Sequence, residues 1–153
     1  MKPSISKKSK YHQGIFVPVH PEKYVGKSQI SYRSSWELRL MKWLDNHQSI
    51  ICWNSEDFIV KYVSPIDNRQ HKYYIDFVAK MKLRDGSEKT YAIEVKPLKE
   101  MLPPSNKIKN KQRLLTETTT YIVNQAKWTT AKEYCMKIGI EFIVLNENDL
   151  GIS

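Results

Sequence analysis

Two stretches of this sequence contain residues whose types and spacing could perform chemistry. Residues 91–96 read YAIEVK, in which Glu94 and Lys96 are two positions apart within an apolar run. Residues 73–78 read YYIDFV, in which Asp76 is the single acid. Because side chains alternate between the two faces of a β-strand, Glu94 and Lys96 would share one face near the end of their strand. A carboxylate and an ammonium group would then lie side by side.

The two stretches are predicted to pair as the arms of one β-hairpin. Residues 71–83 and 88–96 are rich in strand-forming side chains, and Asp85-Gly86 between them is a pair typical of hairpin turns. Asp76 lies nine positions before that pair, and Glu94 lies eight after it. This near-equality predicts that the two acids lie opposite each other. The side chains expected in the core, on the other face, are Ile75, Phe77, Tyr91, Ile93 and Val95.

Two carboxylates this close disfavour joint ionisation unless a cation lies between them. A carboxylate pair with room for water suits Mg²⁺, which keeps several waters and binds one or two carboxylates together with substrate phosphate. Such an ion lowers the pKa of bound water and offsets charge on a phosphate, and Lys96 would contact that phosphate or orient the attacking water. We interpret the constellation as a phosphodiesterase site; the alternative is a Glu–Lys pair on a solvated strand face.

A helix predicted within residues 31–48 precedes the strands. Ser34 or Ser35 offers an N-cap hydroxyl, and Glu37 falls in the first turn. The apolar stripe of this helix, expected to pack in the core, consists of Trp36, Leu40, Trp43 and Leu44.

The remaining elements predict an α/β fold. Strand patterns occur at residues 49–53 and 58–63, before the hairpin, and again at 140–145. Residues 124–139 predict a helix that ends at Gly139, and a helix carrying basic residues is expected to begin after the prolines that follow the hairpin. The predicted order is α-β-β-β-α-β, with a mixed sheet flanked by helices.

The net charge of +9 is concentrated in two blocks. Residues 1–33 sum to +6 and residues 96–113 to +5, whereas residues 34–95 are neutral. Residues 1–30 show little periodicity and are interpreted as a basic arm before one domain of residues 31–153. Clustered positive charge suits nucleic acid, because each phosphate contact releases condensed counterions; a solubilising tail is the alternative. The candidate DNA contacts are Lys7, Lys8, Lys10, Arg33, Lys107, Lys109, Lys111 and Arg113.

Other classes of protein are disfavoured by the composition. No apolar stretch approaches the ~20 residues that span a bilayer, and the charged N-terminus lacks the apolar segment of a secretory signal. Cys52 and Cys135 are too few and too far apart for a disulfide framework or a metal site. We therefore expect a reducing cytoplasm and no membrane partner.

With Asp76 on one strand, EVK at residues 94–96 on the next and Glu37 on a preceding helix, the sequence resembles the PD-(D/E)xK nucleases. Four segments, SYRSSWELRLMKWLD, ICWNSEDFIVKYVSP, KYYIDFVAK and YAIEVKP, are similar to the head completion nucleases of tailed phages. They are more loosely similar to the endonuclease subunit of certain transposases. The resemblance covers residues 24–97 well. Ile75 replaces the proline of the motif and leaves Asp76 unchanged.

The resemblance implies a restriction-endonuclease-like core and a role for each matching residue. Asp76 and Glu94 would ligate a divalent ion, Mg²⁺ with Mn²⁺ as a substitute, and the Val95 carbonyl would be a further ligand. Lys96 would position or activate the water and stabilise the pentacoordinate phosphate. Glu37 would hold a metal-bound water or a second ion, unless it is only a first-turn acid favoured by the helix dipole.

The resemblance also implies a substrate and a biological role. The substrate would be double-stranded DNA, and the protein would help to finish phage heads before tails attach. It would act in the host cytoplasm or in the virion, with phage head or neck proteins as candidate partners. Two alternatives stay open: a non-catalytic DNA-binding virion assembly protein that keeps the nuclease fold, and a transposase-type strand-cleaving subunit.

Overall fold

A computed structural model describes residues 13–27 and 29–151 of the protein. In chain order its elements are β1 (Gly14–Phe16), a 3-10 turn (Pro21–Lys23), β2 (Ile30–Tyr32), α1 (Ser35–Asn46), β3 (Ile50–Ser55), β4 (Ile59–Val63), β5 (Gln70–Tyr74), β6 (Phe77–Lys82), β7 (Glu88–Val95), α2 (Leu98–Met101), α3 (Lys111–Lys137) and β8 (Glu141–Leu145). Within the described residues, no helix has both the length and the apolarity that a membrane crossing requires.

A four-stranded mixed sheet forms the centre of the molecule, in the order β3-β6-β7-β8. Strand β6 is antiparallel to both β3 and β7, whereas β8 is parallel to β7. Two separate hairpins, β1-β2 and β4-β5, accompany this sheet. The mixed sheet with its helices confirms the predicted α/β class, although the described residues form more strands than the predicted order contains.

Apolar cores cover both faces of the central sheet. On one face, α1 packs on a cluster that includes Trp53 and Ile93. On the other, α3 and the β4-β5 hairpin enclose a cluster around Ala92 and Trp128. The sequence interpretation assigned only the Ile93 side of β7 to a core, and the structure buries the Ala92 side as well. Because α3 covers that second face, Glu94 is also buried, with 8% of its surface exposed.

A break separates β5 from β6, which the sequence interpretation joined in one strand over residues 71–83. The β3-β6 ladder pairs Ser55 with Phe77, and the β4-β5 ladder pairs Ile59 with Tyr74. Three residues on one segment therefore oppose two on the other. We call this irregularity the bulge, because like a β-bulge it adds one residue and bends the segments that contain it, although it lies between two sheets and not within one ladder.

The bend determines which core the neighbouring side chains enter. Ile75 packs in the α3 cluster and Phe77 in the α1 cluster, so the prediction that they face one core is wrong. The Glu56 N–H donates to the Asp76 carbonyl at 3.0 Å, and the Ile75 N–H donates to the Phe58 carbonyl at 3.0 Å. These hydrogen bonds close the bend and hold Glu56 beside Asp76.

Helix α1 buries a different stripe from the predicted one. Leu40 and Leu44 are buried as expected, together with Met41 and Asp45. Trp43 is 44% exposed, so its predicted place in the core is wrong. The reason is that Met41 and Asp45 occupy the side of the helix that faces the protein.

The predicted arm of residues 1–30 is described only from residue 13 onward. Its described part is not an extended loop, because β1 pairs with β2 and both Phe16 and Ile30 are buried in the α1 cluster. A basic arm remains a proposal for residues 1–12, which lie outside the described residues.

We expect Ala92→Leu to destabilise the protein by about 1–3 kcal/mol, because the larger side chain must enter a core that α3 already fills. Urea unfolding followed by circular dichroism measures this loss. Lys132→Leu, at an exposed position of α3, is the matched control and should change the free energy of unfolding by less than about 0.5 kcal/mol. Equal effects of the two variants would contradict the burial of the Ala92 face.

Candidate active site

A cavity of about 560 Å³ lies at the carboxyl end of β7, beside the start of α1. The residues that line it are Arg33, Ser34, Ser35, Trp36, Glu37, Asp76, Glu94, Val95, Lys96, Pro97 and Glu100. The structure therefore brings together the four residues to which the sequence analysis assigned catalysis. It also places Trp36, expected in the core, at the wall of this cavity.

The hairpin register places Asp76 and Glu94 next to each other. The ladder confirms the register counted from the turn as far as Phe77 and Ile93, and Asp76 and Glu94 are the next residue of each segment. The Val95 N–H donates a hydrogen bond to Oδ2 of Asp76 at 2.9 Å. This bond fixes the Asp76 carboxylate against the end of β7.

The two acids are costly to ionise together. Burial raises the pKa of Asp76 well above its ordinary value, and the negative charge of Glu94 raises it further. Burial also raises the pKa of Glu94, against the lowering effects of the nearby Tyr73 hydroxyl and the Lys96 cation. Oε2 of Glu94 is buried without a hydrogen-bond partner. A buried oxygen of this kind costs free energy unless a donor or a cation satisfies it.

Glu37 enters the cavity from the first turn of α1. Its N–H donates to Oγ of the N-cap residue Ser34 at 3.1 Å, and its Oε2 accepts from the Arg33 N–H at 2.6 Å. This reciprocal arrangement resembles a capping box, in which a third-position acid stabilises the start of a helix. Glu37 therefore has the structural role considered from the sequence as well as a place in the cavity.

Glu56 is an acid beside the cavity that the sequence analysis missed. Carboxylate oxygens of Glu37, Glu56 and Asp76 lie within 4.8 Å of one another, close enough to share one metal ion. The backbone of Glu56 has a φ of 55°, in the left-handed region that non-glycine residues seldom adopt. The only feature of the sequence that could have indicated a role for Glu56 is the polar NSED segment between two predicted strands. This segment does not distinguish Glu56 from Asp57.

Two lysines approach the acids from different elements. Lys96 directly follows β7, and its N–H donates to the Leu145 carbonyl at 2.9 Å, which ties it to β8. Lys127 of α3, also missed from the sequence, lies over the rings of Tyr62 and Tyr73, at 5.8 and 5.4 Å from their centroids.

Lys127 belongs to the buried side of α3. Burial lowers its pKa, and the negative charge of Glu94 opposes that shift. Lys127 lies three positions after the buried Asn124 and four before the buried Ala131. Helical spacing alone could therefore have placed this lysine against the sheet.

The predicted DNA contacts fall into three groups. Arg33 lines the cavity and forms an ion pair with Glu56. An exposed group consists of Lys107 and Lys109, in the loop before α3, and Lys111 and Arg113, in its first turn. Lys7, Lys8 and Lys10 lie outside the described residues. The expected basic helix thus carries only two of the four basic residues assigned to it.

A mixed sheet flanked by helices, with acids and a lysine at one end of it, is the arrangement of an endonuclease domain. The chain belongs to the family of TnsA-like endonuclease N-terminal domains, whose model matches residues 47–147. It is also 34% identical over 144 residues to the head completion nuclease of Enterobacteria phage T4, covering 91% of this chain and 93% of that protein. These matches confirm the resemblance found in the sequence.

We expect Asp76→Asn to stabilise the metal-free protein at neutral pH. The pKa of Asp76 is raised above the ordinary 3.8 in the folded state, so the wild-type protein loses stability as the pH rises from there towards the raised value. Asparagine carries no charge and escapes this loss, while its amide oxygen can still accept from Val95. The advantage of the variant should therefore be present at neutral pH and absent in acid.

Thermal unfolding in EDTA across this pH range measures the effect. Asp85→Asn is the matched control, because hydrogen bonds from Ser87 lower the pKa of Asp85 and its neutralisation should bring no gain. If the wild-type protein is at least as stable as Asp76→Asn at neutral pH, that result would contradict the raised pKa of Asp76.

Proposed function

We propose that this protein is a Mg²⁺-dependent nuclease that hydrolyses phosphodiester bonds of double-stranded DNA. The observation that carries the proposal is the convergence of Glu37, Asp76, Glu94 and Lys96 on one cavity. Membership of an endonuclease family supports the proposal, since Asp76, Glu94 and Lys96 lie within the matched residues 47–147, although Glu37 precedes them.

The donor set of the cavity fits a hard divalent cation. All the acids offer oxygen ligands, which Mg²⁺ and Mn²⁺ prefer, and a cation would satisfy the buried Oε2 of Glu94, which has no hydrogen-bond partner. Asp76 belongs both to the predicted pair with Glu94 and to the trio with Glu37 and Glu56. A bound ion would offset charge on the phosphate and favour ionisation of water. The carbonyl of Val95 remains a proposed further ligand.

The side chains around this site would position the reactants. Lys96 is held at the end of β7 by its backbone bond to β8, so its ammonium group can orient the attacking water or bind a phosphate oxygen. Glu37 is held by the helix cap and would bind a water or a second ion. Fixed charges of this kind stabilise a phosphorane-like transition state without the reorganisation that water would need.

The exposed basic group before and within the first turn of α3 would contact the DNA backbone. A second cavity of about 480 Å³ shares Pro97 and Glu100 with the first and is lined by Glu117 and Tyr121 of α3. The second and third turns of α3 therefore lie beside the active-site cavity, and the exposed basic group directly precedes them in the chain. Lys7, Lys8 and Lys10 would add backbone contacts from the N-terminal arm.

The biological role rests on the similarity to the head completion nuclease of Enterobacteria phage T4. We propose that this protein likewise acts in head completion and head–tail joining after DNA packaging, in the infected host cell or on the virion. Phage head or neck proteins are its candidate partners. One further candidate is kept from the sequence resemblance to transposase endonuclease subunits, namely a strand-cleaving subunit that works only within a complex, and the match to a TnsA-like endonuclease domain is consistent with it.

We expect Lys96→Met and Asp76→Ala each to lower the rate of plasmid cleavage in Mg²⁺ by about 10²-fold or more. The estimate follows from the usual cost of removing one group that stabilises transition-state charge. Conversion of supercoiled plasmid to nicked and linear forms measures the rate. Lys80→Met is the matched control, because Lys80 pairs with Glu88 at 3.1 Å away from the site and should leave the rate unchanged.

If wild type and both variants leave DNA equally intact while still binding it, the non-catalytic alternative is supported. Cleavage that appears only after phage or transposase proteins are added would support the subunit alternative. Equal cleavage by wild type and Lys96→Met would exclude the proposed role of Lys96.

We expect Lys109→Ala/Lys111→Ala to weaken DNA binding and its salt dependence together. Each lost phosphate contact should reduce the slope of log K against log salt by about 0.9. Fluorescence anisotropy in EDTA, over a range of NaCl concentrations, measures the slope. Lys89→Ala/Lys132→Ala removes the same charge beside a cavity near the amino end of β7 and is the matched control. Equal slopes for the two double variants would contradict a specific role for the start of α3.

A further inference from the structure

Arg33, which lines the cavity, forms an ion pair with Glu56, whose carboxylate lies beside the cavity acids Glu37 and Asp76. The side chain of Glu56 is only 10% exposed and that of Arg33 is 33% exposed. A carboxylate with so little access to water needs a cation beside it, since an unpaired buried charge costs several kcal/mol. Among the described residues, Arg33 is the partner that supplies this charge to Glu56.

The backbone directs Glu56 towards the acids of the cavity. Its N–H is bonded to the carbonyl of Asp76 at 3.0 Å, and its φ of 55° belongs to the bend between β3 and β4. Its carboxylate lies within 4.8 Å of ligand oxygens of Glu37 and Asp76. Glu56 can therefore pair with Arg33 or with an ion shared by these acids without movement of the chain.

A second observation concerns a buried oxygen of another residue that lines the same cavity. Oε2 of Glu94, on the neighbouring wall of the cavity, is buried and has no hydrogen-bond partner. Arg33 pairs with Glu56 and not with this oxygen. Asp76 belongs to the acid cluster and also interacts with Glu94, so a divalent ion bound to Asp76 would bring positive charge near Glu94 as well.

We infer that Glu56 is a ligand of the divalent cation and that Arg33 occupies it only in the metal-free protein. This inference rests on the proposed function, because it assigns two more residues to the same site. When the cation binds, Glu56 exchanges one positive partner for another and stays neutralised throughout. The guanidinium of Arg33 is then free to bind a phosphate oxygen of DNA, for which its paired donors are suited. The exchange couples metal binding to DNA binding.

The exchange predicts opposite effects for two substitutions. Glu56→Gln removes a charged ligand and should weaken Mn²⁺ binding by about tenfold or more. Arg33→Met removes the competing cation and should tighten Mn²⁺ binding several-fold, while it weakens DNA binding in the presence of Ca²⁺. The double variant should bind Mn²⁺ as weakly as Glu56→Gln. Once the Glu56 carboxylate is gone, removal of its competitor Arg33 has nothing left to release for the metal. Arg39→Met, on the exposed side of α1, is the matched control and should change neither affinity.

Isothermal titration with Mn²⁺ in the absence of DNA measures the metal affinities, and anisotropy with a DNA duplex measures the second readout. Thermal unfolding of each variant shows that it is folded. If the ion pair has only a structural role, both single variants lower the melting temperature and neither tightens Mn²⁺ binding, which would overturn the inference. Unchanged Mn²⁺ affinity in Glu56→Gln would overturn it as well. Failure of the wild-type protein to bind Mn²⁺ would instead refute the proposed function itself.

Discussion

The placement of two carboxylates opposite each other in one hairpin is the constraint on which the rest of the structure depends. Asp76 and Glu94 are neighbours because the β6-β7 ladder continues to the point where β6 begins, and covering the sheet on both faces buries Glu94 and leaves Asp76 only partly exposed. Burial and mutual repulsion both disfavour ionisation of the two carboxylates together, so positive charge must lie close to them. The elements that surround the two acids supply this positive charge.

Three elements bring cations to the acids from different directions. Lys96 follows directly from β7, Lys127 projects from the buried side of α3, and Arg33 precedes α1. Lys96 and Lys127 influence the acids through space, whereas Arg33 makes a direct ion pair, with Glu56. The acidic cavity is therefore partly neutralised before any metal binds. These cations explain how the fold tolerates four acids at one end of its sheet.

The sequence was sufficient where function depends on local periodicity. The period of two in a strand, the Asp-Gly turn and the helix cap predicted the meeting of Asp76 and Glu94 and the place of Glu37. It was insufficient where placement depends on tertiary geometry. Glu56 enters the site because a bulge opposes three residues with two, and no local pattern distinguishes a bulge from a loop. The second core was missed because small Ala92 carries little hydrophobic signal, although α3 buries it completely.

The bulge also explains why one irregular position serves both folding and chemistry. A continuous strand over residues 71–83 would direct Ile75 and Phe77 to the same core and would leave one face of the sheet without Ile75. With the bend, each side chain enters a different core. The same bend exposes the backbone groups of Glu56 and Asp76 to each other, and their hydrogen bond holds two acids at one point. The left-handed backbone of Glu56 costs free energy. The two cores that the bend completes offset this cost, so the fold remains stable with Glu56 at this position.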